Sequence, residues 1–391
     1  MNRSEDYYLR AKSLIRLKKM HRRVNKAVKE GHTVLSFGPS SINLMMVDSC
    51  NSQCIMCGHD YRTLGTGERL TLEKVRIIYG HLNMEGVVDL IYGGGGEPFL
   101  NPELADIAEY THQLDPVIQH TVITNMIKTD MQACERLLRN RVHFLVSVNA
   151  ARKGTYQQIS GVQAFDQVIS NIQALVDTRR KCRSKSKISM SMILMDQNIR
   201  ELVEFVRLAG SLRVDKVKTL YVRVYPESFR VKQGREHRID ARQSLFYHQE
   251  LSDQYIKTAE KTAKKMGIGF EHEPLFSDNH LVSRKCTEPW KSVFVNTNGD
   301  IFPCAGSEIL FKHKVDNNMY HCGNLLVQNV DEFWNNHFWQ TLRRTNLENF
   351  ESDEFVPECR CCGNSINWLG PKEKRVHIMD WSIAESSEKE L

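Results

Sequence analysis

The sequence lacks the features that mark membrane and secreted proteins. It has no run of 18 or more apolar residues, so no transmembrane helix is predicted. Its N-terminal segment carries charges throughout and has no apolar signal-peptide core. The composition, 41% hydrophobic and 26% charged over 391 residues, is typical of a globular chain. We therefore predict a cytoplasmic protein with a barrel-sized core and a smaller appended module.

Basic residues are concentrated in two stretches of a chain whose net charge is +6. Residues 1–30 hold ten Lys or Arg against three acidic residues, and a second basic run spans 179–187. Such runs can attract nucleic acid, anionic lipid or a phosphorylated substrate. Neither run is interleaved with the aromatic residues of a single-strand-binding surface, so a nucleic-acid partner is not expected. A solvated helix face and a solvated loop are the simpler interpretation.

Strand-like apolar runs alternate with helical patterns from residue 40 to 225, which predicts a parallel βα array. The predicted strands are 42–47, 87–92, 119–124, 144–148, 188–194 and 219–224. The predicted helices between them are 71–82, 102–113, 131–138, 165–176 and 199–208. The fold class is therefore α/β, a partial (β/α)6 TIM-like barrel with its site at the carboxyl ends of the strands.

The pattern divides the whole chain into five predicted parts. A basic N-terminal helix (1–39) precedes the barrel (40–225), which is followed by a polar helical connector (226–282). A cysteine-rich module (283–370) and a polar tail (371–391) complete the chain.

Eleven cysteines in a chain without a secretory signal favour metal binding or catalysis over disulfides. Cys50, Cys54 and Cys57 have the spacing C-x3-C-x2-C directly after the first predicted strand. Three thiolates on one loop can bind three corners of a cubane iron–sulfur cluster and leave its fourth iron open. A zinc site that uses these thiolates and His59 is the alternative. Two isolated cysteines are interpreted as ordinary thiols: Cys134 and Cys182.

A glycine-rich segment, residues 93–98 (GGGGEP), follows the second predicted strand, and glycine permits close backbone approach there. Together with the cysteine triad, this segment resembles the radical S-adenosylmethionine (SAM) superfamily. The resemblance implies a 4Fe–4S cluster held by Cys50, Cys54 and Cys57, with SAM bound at its open iron. It also implies that SAM is cleaved reductively to a 5′-deoxyadenosyl radical, which abstracts hydrogen from substrate. The methionine end of SAM is assigned to five residues: Gly94, Gly95, Gly96, Glu97 and Pro98.

The resemblance extends to the adenosine end of SAM. The family commonly has an aromatic residue immediately before the third cysteine, where this chain has Met56, which can pack against adenine. Tyr221 and Val222 on the sixth predicted strand are candidates to flank adenine. The ends of the middle strands, which contact ribose in the family, carry Thr124, Asn125, Ser147 and Asn149. An ordinary polar residue at a strand end is the alternative interpretation for each of these four.

A second cysteine constellation consists of four residues: Cys286, Cys304, Cys359 and Cys362. A hairpin turn signal, Asn298-Gly299, lies shortly before Cys304. This order resembles the C-terminal SPASM/Twitch modules of radical SAM enzymes. The resemblance implies a second, auxiliary 4Fe–4S cluster in the shorter Twitch form. A zinc site with four cysteine ligands is the alternative, and Cys322 and Cys361 are left over as ligands or plain thiols.

The resemblance implies an oxidation in which the substrate radical loses a proton and passes an electron to the auxiliary cluster. No general base can be assigned from the sequence. Arg152, Tyr156 and Arg223 lie near the predicted strand ends and are candidates to contact substrate. A flavodoxin or ferredoxin is expected as the electron donor.

The expected substrate is a small sugar-, aminocyclitol- or nucleotide-like molecule that is dehydrogenated. Peptide-modifying relatives often carry an N-terminal winged-helix domain, and the 40 residues before the first strand are too few for one. The alternative is maturation of a ribosomal peptide or protein by thioether or C–C cross-linking or by epimerisation. A non-enzymatic zinc or iron–sulfur sensor is a more distant alternative.

Overall fold

The computed structural model describes residues 3–58, 65–222, 239, 241–278, 286–304 and 322–348. Within these ranges a nine-stranded sheet organises the protein, in the order β7-β6-β5-β4-β3-β2-β1-β8-β9. The strands are β1 Ser41–Leu44, β2 Asp89–Tyr92, β3 Gln119–Thr124, β4 His143–Ser147, β5 Ile188–Leu194, β6 Lys216–Tyr221, β7 Gly269–Glu271, β8 Ser292–Val295 and β9 Ile301–Phe302. Neighbouring strands are parallel except β8 and β9, which are antiparallel.

Helices follow most of the strands and cover the outside of the sheet. They are α1 Arg3–Lys29, α2 Leu72–His81, α3 Leu104–Leu114, α4 Met131–Arg139, α5 Lys153–Ser160, α6 Phe165–Lys181, α7 Asp196–Ile199, α8 Leu202–Ser211, α9 Gln249–Met266, α10 Val330–Phe333 and α11 His337–Leu347. None of these helices combines the length and the hydropathy that a membrane-crossing helix needs.

The predicted α/β partial barrel is confirmed, because β1 to β6 correspond to the six predicted strands and lie side by side in chain order. β5 is buried along almost its whole length, as expected for a parallel strand covered on both faces. α3 begins at Leu104, two residues later than predicted. The Asn101 side chain lies just before this helix and forms hydrogen bonds in two directions. Its amide donates to the carbonyls of Met46 and Leu70, and its oxygen accepts from the Glu103 N–H.

Strands outside the predicted barrel extend the sheet at both ends. The segment predicted as a helical connector contributes α9 and also β7, which pairs in parallel with β6. On the other side, β8 of the cysteine-rich module pairs in parallel with β1. All four residues of β8 are buried, so both faces of this strand are packed against other parts of the protein. This is the pattern expected of a strand in a parallel sheet. The predicted tail, residues 371–391, lies outside the described residues.

Hydrogen bonds also connect the cysteine-rich module to the segment between α1 and β1. Trp290 Nε1 donates to the His32 carbonyl at 2.8 Å. Arg343 is fully buried, donates to the Thr33 carbonyl at 2.7 Å and lies 4.6 Å from the centre of the Trp334 ring. Because a buried guanidinium needs several acceptors, this contact fixes the path of the connecting segment.

Candidate active site

The cysteine loop (residues 49–58) follows β1 at the carboxyl edge of the sheet. Cys50, Cys54 and Cys57 are all half-buried, and the Cys57 N–H donates to the Cys54 carbonyl at 3.1 Å. Burial raises the pKa of Cys50 to about 12, and the charges of Glu97, Cys54 and Cys57 act in the same direction. These mutual effects show that the three thiols and the carboxylate share one environment.

Three thiols on one short loop are a donor set that fits three corners of a cubane iron–sulfur cluster. Within the described ranges, no three Cys, His, Asp or Glu side chains converge on the position of one metal ion. Thiolates that bind separate irons of a cubane do not have to share one point. His59, the fourth candidate ligand of a zinc site, lies outside the described residues.

Two polar side chains approach the thiols from the protein interior. Ser52 Oγ lies 3.2 Å from Cys54 Sγ, and Asn125 Nδ2 donates to Cys50 Sγ at 3.8 Å. Hydrogen bonds to cysteine sulfur stabilise the thiolate form and tune an iron–sulfur cluster. The Asn125 amide is such a donor, whereas the Ser52 hydroxyl directs its one proton to the Ser160 carbonyl. The chain therefore supplies both the proposed ligands and a donor to one of them.

The cysteine loop is held by the end of α5. The backbone N–H groups of Gln53 and Ile55 donate to the carbonyls of Ser160 and Ile159, each at 2.9 Å. Ser52 Oγ also donates to the Ser160 carbonyl at 2.9 Å. Three hydrogen bonds in succession give the loop a defined path before any cluster is bound.

The glycine-rich turn (residues 93–98) passes directly against the cysteine loop. Gly96 has φ of 63°, and a Cβ atom there would lie 2.0 Å from the Val47 carbonyl oxygen and 2.6 Å from that of Ser49. The Glu97 N–H donates to the same Ser49 carbonyl at 2.8 Å. The close approach of these two backbones is therefore possible only with glycine at this position.

The Glu97 carboxylate is turned into the protein and joins the glycine-rich turn to the end of β3. It accepts hydrogen bonds from Thr124 Oγ1 at 2.7 Å, from the Asn125 N–H at 2.7 Å and from the Phe99 N–H at 3.2 Å. Burial raises its pKa to about 7, although these donors act in the opposite direction. A contact between Glu97 and the SAM ammonium stays a prediction, and the backbone of residues 94–96 is the other candidate. Pro98 is buried at the start of a short 3₁₀ helix.

Asn125 connects the end of β3 to the cysteine loop. Its amide donates to Asn51 Oδ1 at 2.7 Å, and its own oxygen accepts from the Ile127 N–H at 2.9 Å. Ser147, at the end of β4, lies 3.4 Å from the hydroxyl of Ser191 on β5. Of these two predicted ribose contacts, Asn125 is the one that lies beside the cysteine loop.

Asn149 forms hydrogen bonds that connect the end of β4 to the end of β5. It has φ of 65°, and its Oδ1 accepts from the Ile193 N–H at 2.8 Å. The buried Asn198 amide donates to the Asn149 carbonyl at 2.9 Å. These bonds hold the ends of β4 and β5 together, which is the ordinary strand-end role considered as the alternative.

Met56 belongs to a small apolar cluster that is separate from the main core. Its partly buried members are Ile55, Met56 and Ile193, and its buried members are Ile159, Met195, Val222 and Ile239. Tyr221 packs elsewhere, with its ring 5.0 Å from that of Phe276 and its hydroxyl bonded to the Pro274 carbonyl. The structure therefore brings Val222, and not Tyr221, to the side of Met56.

The predicted substrate contacts are engaged in structural interactions. Arg152 forms an exposed ion pair with Glu204 at 2.7 Å. Tyr156 is buried and packs edge-on against Phe165. Arg223 lies outside the described residues.

Half of the predicted auxiliary ligands lie in the described part of the chain. Cys286 and Cys304, both half-buried, flank the β8–β9 hairpin, and Gly299 has φ of 81° in its turn. Cys359, Cys361 and Cys362 lie outside the described residues. Cys322 is buried, and its carbonyl accepts from Trp339 Nε1 at 2.9 Å. Burial raises its pKa well above the usual range, as it also raises that of the proposed ligand Cys50, so its role as a ligand or a plain thiol stays a prediction.

Comparison with known sequences agrees with this geometry. The sequence model of the radical SAM superfamily matches residues 44–209, and that of the SPASM iron–sulfur cluster-binding domain matches residues 286–363. The chain belongs to the radical SAM superfamily. Its barrel is followed by a SPASM module, as the resemblance predicted. Membership implies a 4Fe–4S cluster, SAM and auxiliary iron–sulfur chemistry.

Curated relatives match less than half of this chain at low identity. A probable GTP 3′,8-cyclase of Saccharolobus solfataricus is 23% identical over 176 residues, which is 45% of this chain and 54% of the relative. A GTP 3′,8-cyclase of Shewanella denitrificans is 26% identical over 178 residues, which is 44% of this chain and 50% of the relative. The chain thus aligns with about half the length of these relatives.

Solved structures share the fold over more of the chain. Streptococcus suis SuiB bound to S-adenosylmethionine has a TM-score of 0.64 and 17% identity, covering 89% of this chain and 75% of that protein. Native anSMEcpe with bound AdoMet has a TM-score of 0.55 and 14% identity, covering 84% of this chain and 88% of that protein. At these identities the likeness shows the fold.

Several residues that support the site were missed by the sequence analysis. Buried Glu201 accepts hydrogen bonds from the Ala151 N–H at 2.8 Å and from Thr155 Oγ1, and so anchors the start of α5. Gly161 ends α5 with φ of 70°, and a Cβ atom there would lie 3.1 Å from Gln53. A glycine after a helical segment is a known C-cap signal, and Gly161 is the local signal that could have marked the end of α5. No local signal marked Glu201.

Proposed function

We propose that this chain cleaves SAM reductively and uses the resulting radical to oxidise a substrate, with the SPASM module assisting. The observation that carries the proposal is the meeting of three elements at the carboxyl edge of β1, β2 and β3. The cysteine loop, the glycine-rich turn and Asn125 are joined by direct hydrogen bonds. In a βα array this edge is where substrates and cofactors bind.

Cys50, Cys54 and Cys57 would hold the 4Fe–4S cluster, and Cys286, Cys304, Cys359 and Cys362 would hold the auxiliary one. When bound, the first cluster supplies the electron that cleaves SAM to a 5′-deoxyadenosyl radical, and the auxiliary cluster supplies an electron acceptor. The protein's own contribution is preorganisation. The bonds from the cysteine loop to Ser160 and Ile159 set the loop path, and Asn125 adds a donor beside Cys50.

SAM would lie between the glycine-rich turn and the apolar cluster around Met56. The backbone of residues 94–96, together with Glu97 and Pro98, would receive the methionine end. Met56 and Val222 would pack against adenine and exclude water from it. Asn125 is the preferred ribose contact because it borders the cysteine loop, whereas Ser147 and Asn149 bond mainly to β5 and its following residues.

The substrate we propose first is a small sugar-, aminocyclitol- or nucleotide-like molecule. The curated relatives named GTP 3′,8-cyclases support a nucleotide-like substrate, through an alignment that covers less than half of this chain. A peptide is the second candidate. It is supported by SuiB bound to the precursor peptide SuiA, a structure with a TM-score of 0.61 that covers 88% of this chain. A flavodoxin or ferredoxin is the proposed electron donor.

The test measures 5′-deoxyadenosine formed by the anaerobically reconstituted chain with SAM and dithionite. Host extract is separated by ultrafiltration, and each of its two fractions is added to a separate reaction. Stimulation by the small-molecule filtrate is expected. Stimulation by the macromolecular fraction alone would favour peptide or protein modification. If a cluster-loaded protein forms no 5′-deoxyadenosine under any of these conditions, the proposed function is wrong.

A further inference from the structure

The two basic stretches of the sequence come together at the edge of the sheet opposite the cysteine loop. A cavity of about 220 Å³, here called the amino-edge pocket, lies at the amino ends of β3, β4 and β5. α1 forms one wall through Leu9, Arg10 and Ser13, and the loop before β5 forms another through residues 185–187. Residues far apart in the chain therefore build one concave surface.

The titratable side chains that line the amino-edge pocket are all basic. Its titratable lining residues in the described part of the chain are Arg10, Arg141, His143, Lys185 and Lys187. Asp215, a carboxylate whose charge acts on His143, does not line the cavity. Asp215 is bonded to Arg179, to Lys187 and to the Ile188 N–H. A cleft lined by one sign of charge concentrates the field and attracts a counter-ion.

His143, which lines the pocket, has a hydrogen-bond donor at Nε2. Its Nδ1 accepts from the Lys187 N–H at 2.8 Å, so the neutral ring carries its proton on Nε2. Burial lowers the pKa of His143 to about 4, and the nearby charges of Arg141, Arg10 and Lys187 add to this effect. Ser13 Oγ accepts from Gln119 Nε2 at 3.2 Å, which directs its own proton away from that amide.

Arginine residues at this edge of the sheet adopt the left-handed backbone conformation, which is unfavourable for residues other than glycine. Arg141, two residues after the end of α4, has φ of 64°, at the position where glycine is usual. α6 and α8 end in the same way, with Arg183 at φ of 54° and Arg213 at φ of 57°. Three helices, α4, α6 and α8, are thus followed by a long cation where a residue without a side chain is easier to accommodate.

We propose that the amino-edge pocket binds a phosphate group, either as free phosphate or as the phosphate of a small organic molecule. Guanidinium groups and imidazole N–H groups form short, charge-assisted hydrogen bonds with phosphate oxygens. The cavity is smaller than the usual range for a drug-sized ligand, which fits a phosphate group better than a whole cofactor. Because one wall belongs to α1, the bound anion would also fasten α1 to the barrel.

The test is isothermal titration of the cluster-loaded, full-length chain with inorganic phosphate, at ionic strength held constant with KCl. Saturable binding is expected, with sulfate competing. The double variant R10Q/K185Q should lower the affinity at least about tenfold, because it removes two charged contacts. The matched double variant K18Q/K181Q removes two exposed charges from outside the pocket and should change the affinity less than about twofold. Formation of 5′-deoxyadenosine should be the same in both variants, because the pocket lies away from the cysteine loop.

His143→Asn provides a second variant. Its amide oxygen can still accept from the Lys187 N–H, whereas the Nε2 donor is lost, so weaker phosphate binding with unchanged unfolding is expected. Uridine monophosphate distinguishes the two sources of the group, since tighter binding than inorganic phosphate indicates an organic phosphate. Equal loss of affinity in both double variants would overturn the proposal. So would binding of an oligonucleotide without saturable binding of phosphate.

Discussion

The Asn125 N–H donates to Glu97 Oε2 at 2.7 Å, and this bond joins two loops that are 28 residues apart in the chain. The Asn125 side chain continues the connection to Asn51 in the cysteine loop. A buried carboxylate needs such donors because its desolvation is costly. The bond therefore couples the glycine-rich turn, the end of β3 and the cysteine loop into one unit.

Cys54→Ala should abolish 5′-deoxyadenosine formation and remove the part of the iron–sulfur absorbance that belongs to the SAM-binding cluster, because one of its three proposed ligands is lost. The auxiliary cluster keeps its own cysteines and should still contribute absorbance. Cys182→Ala is the control, since this thiol lies at the end of α6 outside the site. It should retain both properties. Full cluster content and activity in Cys54→Ala would contradict the ligand assignment.

Gly96→Ala should reduce the free energy of unfolding by about 3 kcal/mol and prevent SAM binding. The added Cβ would overlap the Val47 carbonyl and would also require a φ that alanine disfavours. Gly154→Ala, in α5, is the matched control because a Cβ there meets nothing within 4 Å. It should be neutral or stabilising by about 0.5–1 kcal/mol. Urea unfolding and SAM binding would check both variants.

Arg343→Met should lower the free energy of unfolding by about 3 kcal/mol, since the carbonyls of Thr33, Pro289 and Trp334 would lose a buried donor. The neighbouring Arg344 is exposed, and Arg344→Met should stay within about 0.5 kcal/mol of the parent. Hydrogen exchange of residues 33–37 should accelerate only in Arg343→Met. Equal effects of the two substitutions would contradict the fastening role.

His120 should make the protein sensitive to acid. It is buried, its Nδ1 lies 3.0 Å from the Tyr92 hydroxyl, and burial lowers its pKa to about 3. The unfolded chain binds a proton at His120 near pH 6.5 and the folded chain does not, so stability falls as pH decreases from about 6.5 towards 3. His120→Asn should reduce this slope by up to about 1 kcal/mol per pH unit.

Thermal unfolding of equally loaded proteins between pH 6.5 and 4 would check this prediction. His21→Asn, on the exposed side of α1, is the control and should leave the slope unchanged. An identical slope in the parent and in His120→Asn would show that His120 does not titrate with folding.

The chemistry of the site was predictable from the sequence because its signals are local. The C-x3-C-x2-C spacing, the glycine-rich segment and the position of both after strands require only near neighbours to be recognised. Residues that act across the fold carried no such signal. Glu201 supports α5 from about 50 positions away, and Asn101 bonds to two carbonyls from other segments.

The sequence by itself determined the strand and helix pattern, the superfamily and the proposed ligand cysteines, since periodicity and spacing are properties of short segments. Only the tertiary structure decided that the Glu97 carboxylate faces β3, that Val222 joins Met56, and that β7 and β8 extend the barrel sheet. It also brought two distant basic stretches to one pocket. These features depend on which distant segments pack together, and packing is decided by the burial of the whole core.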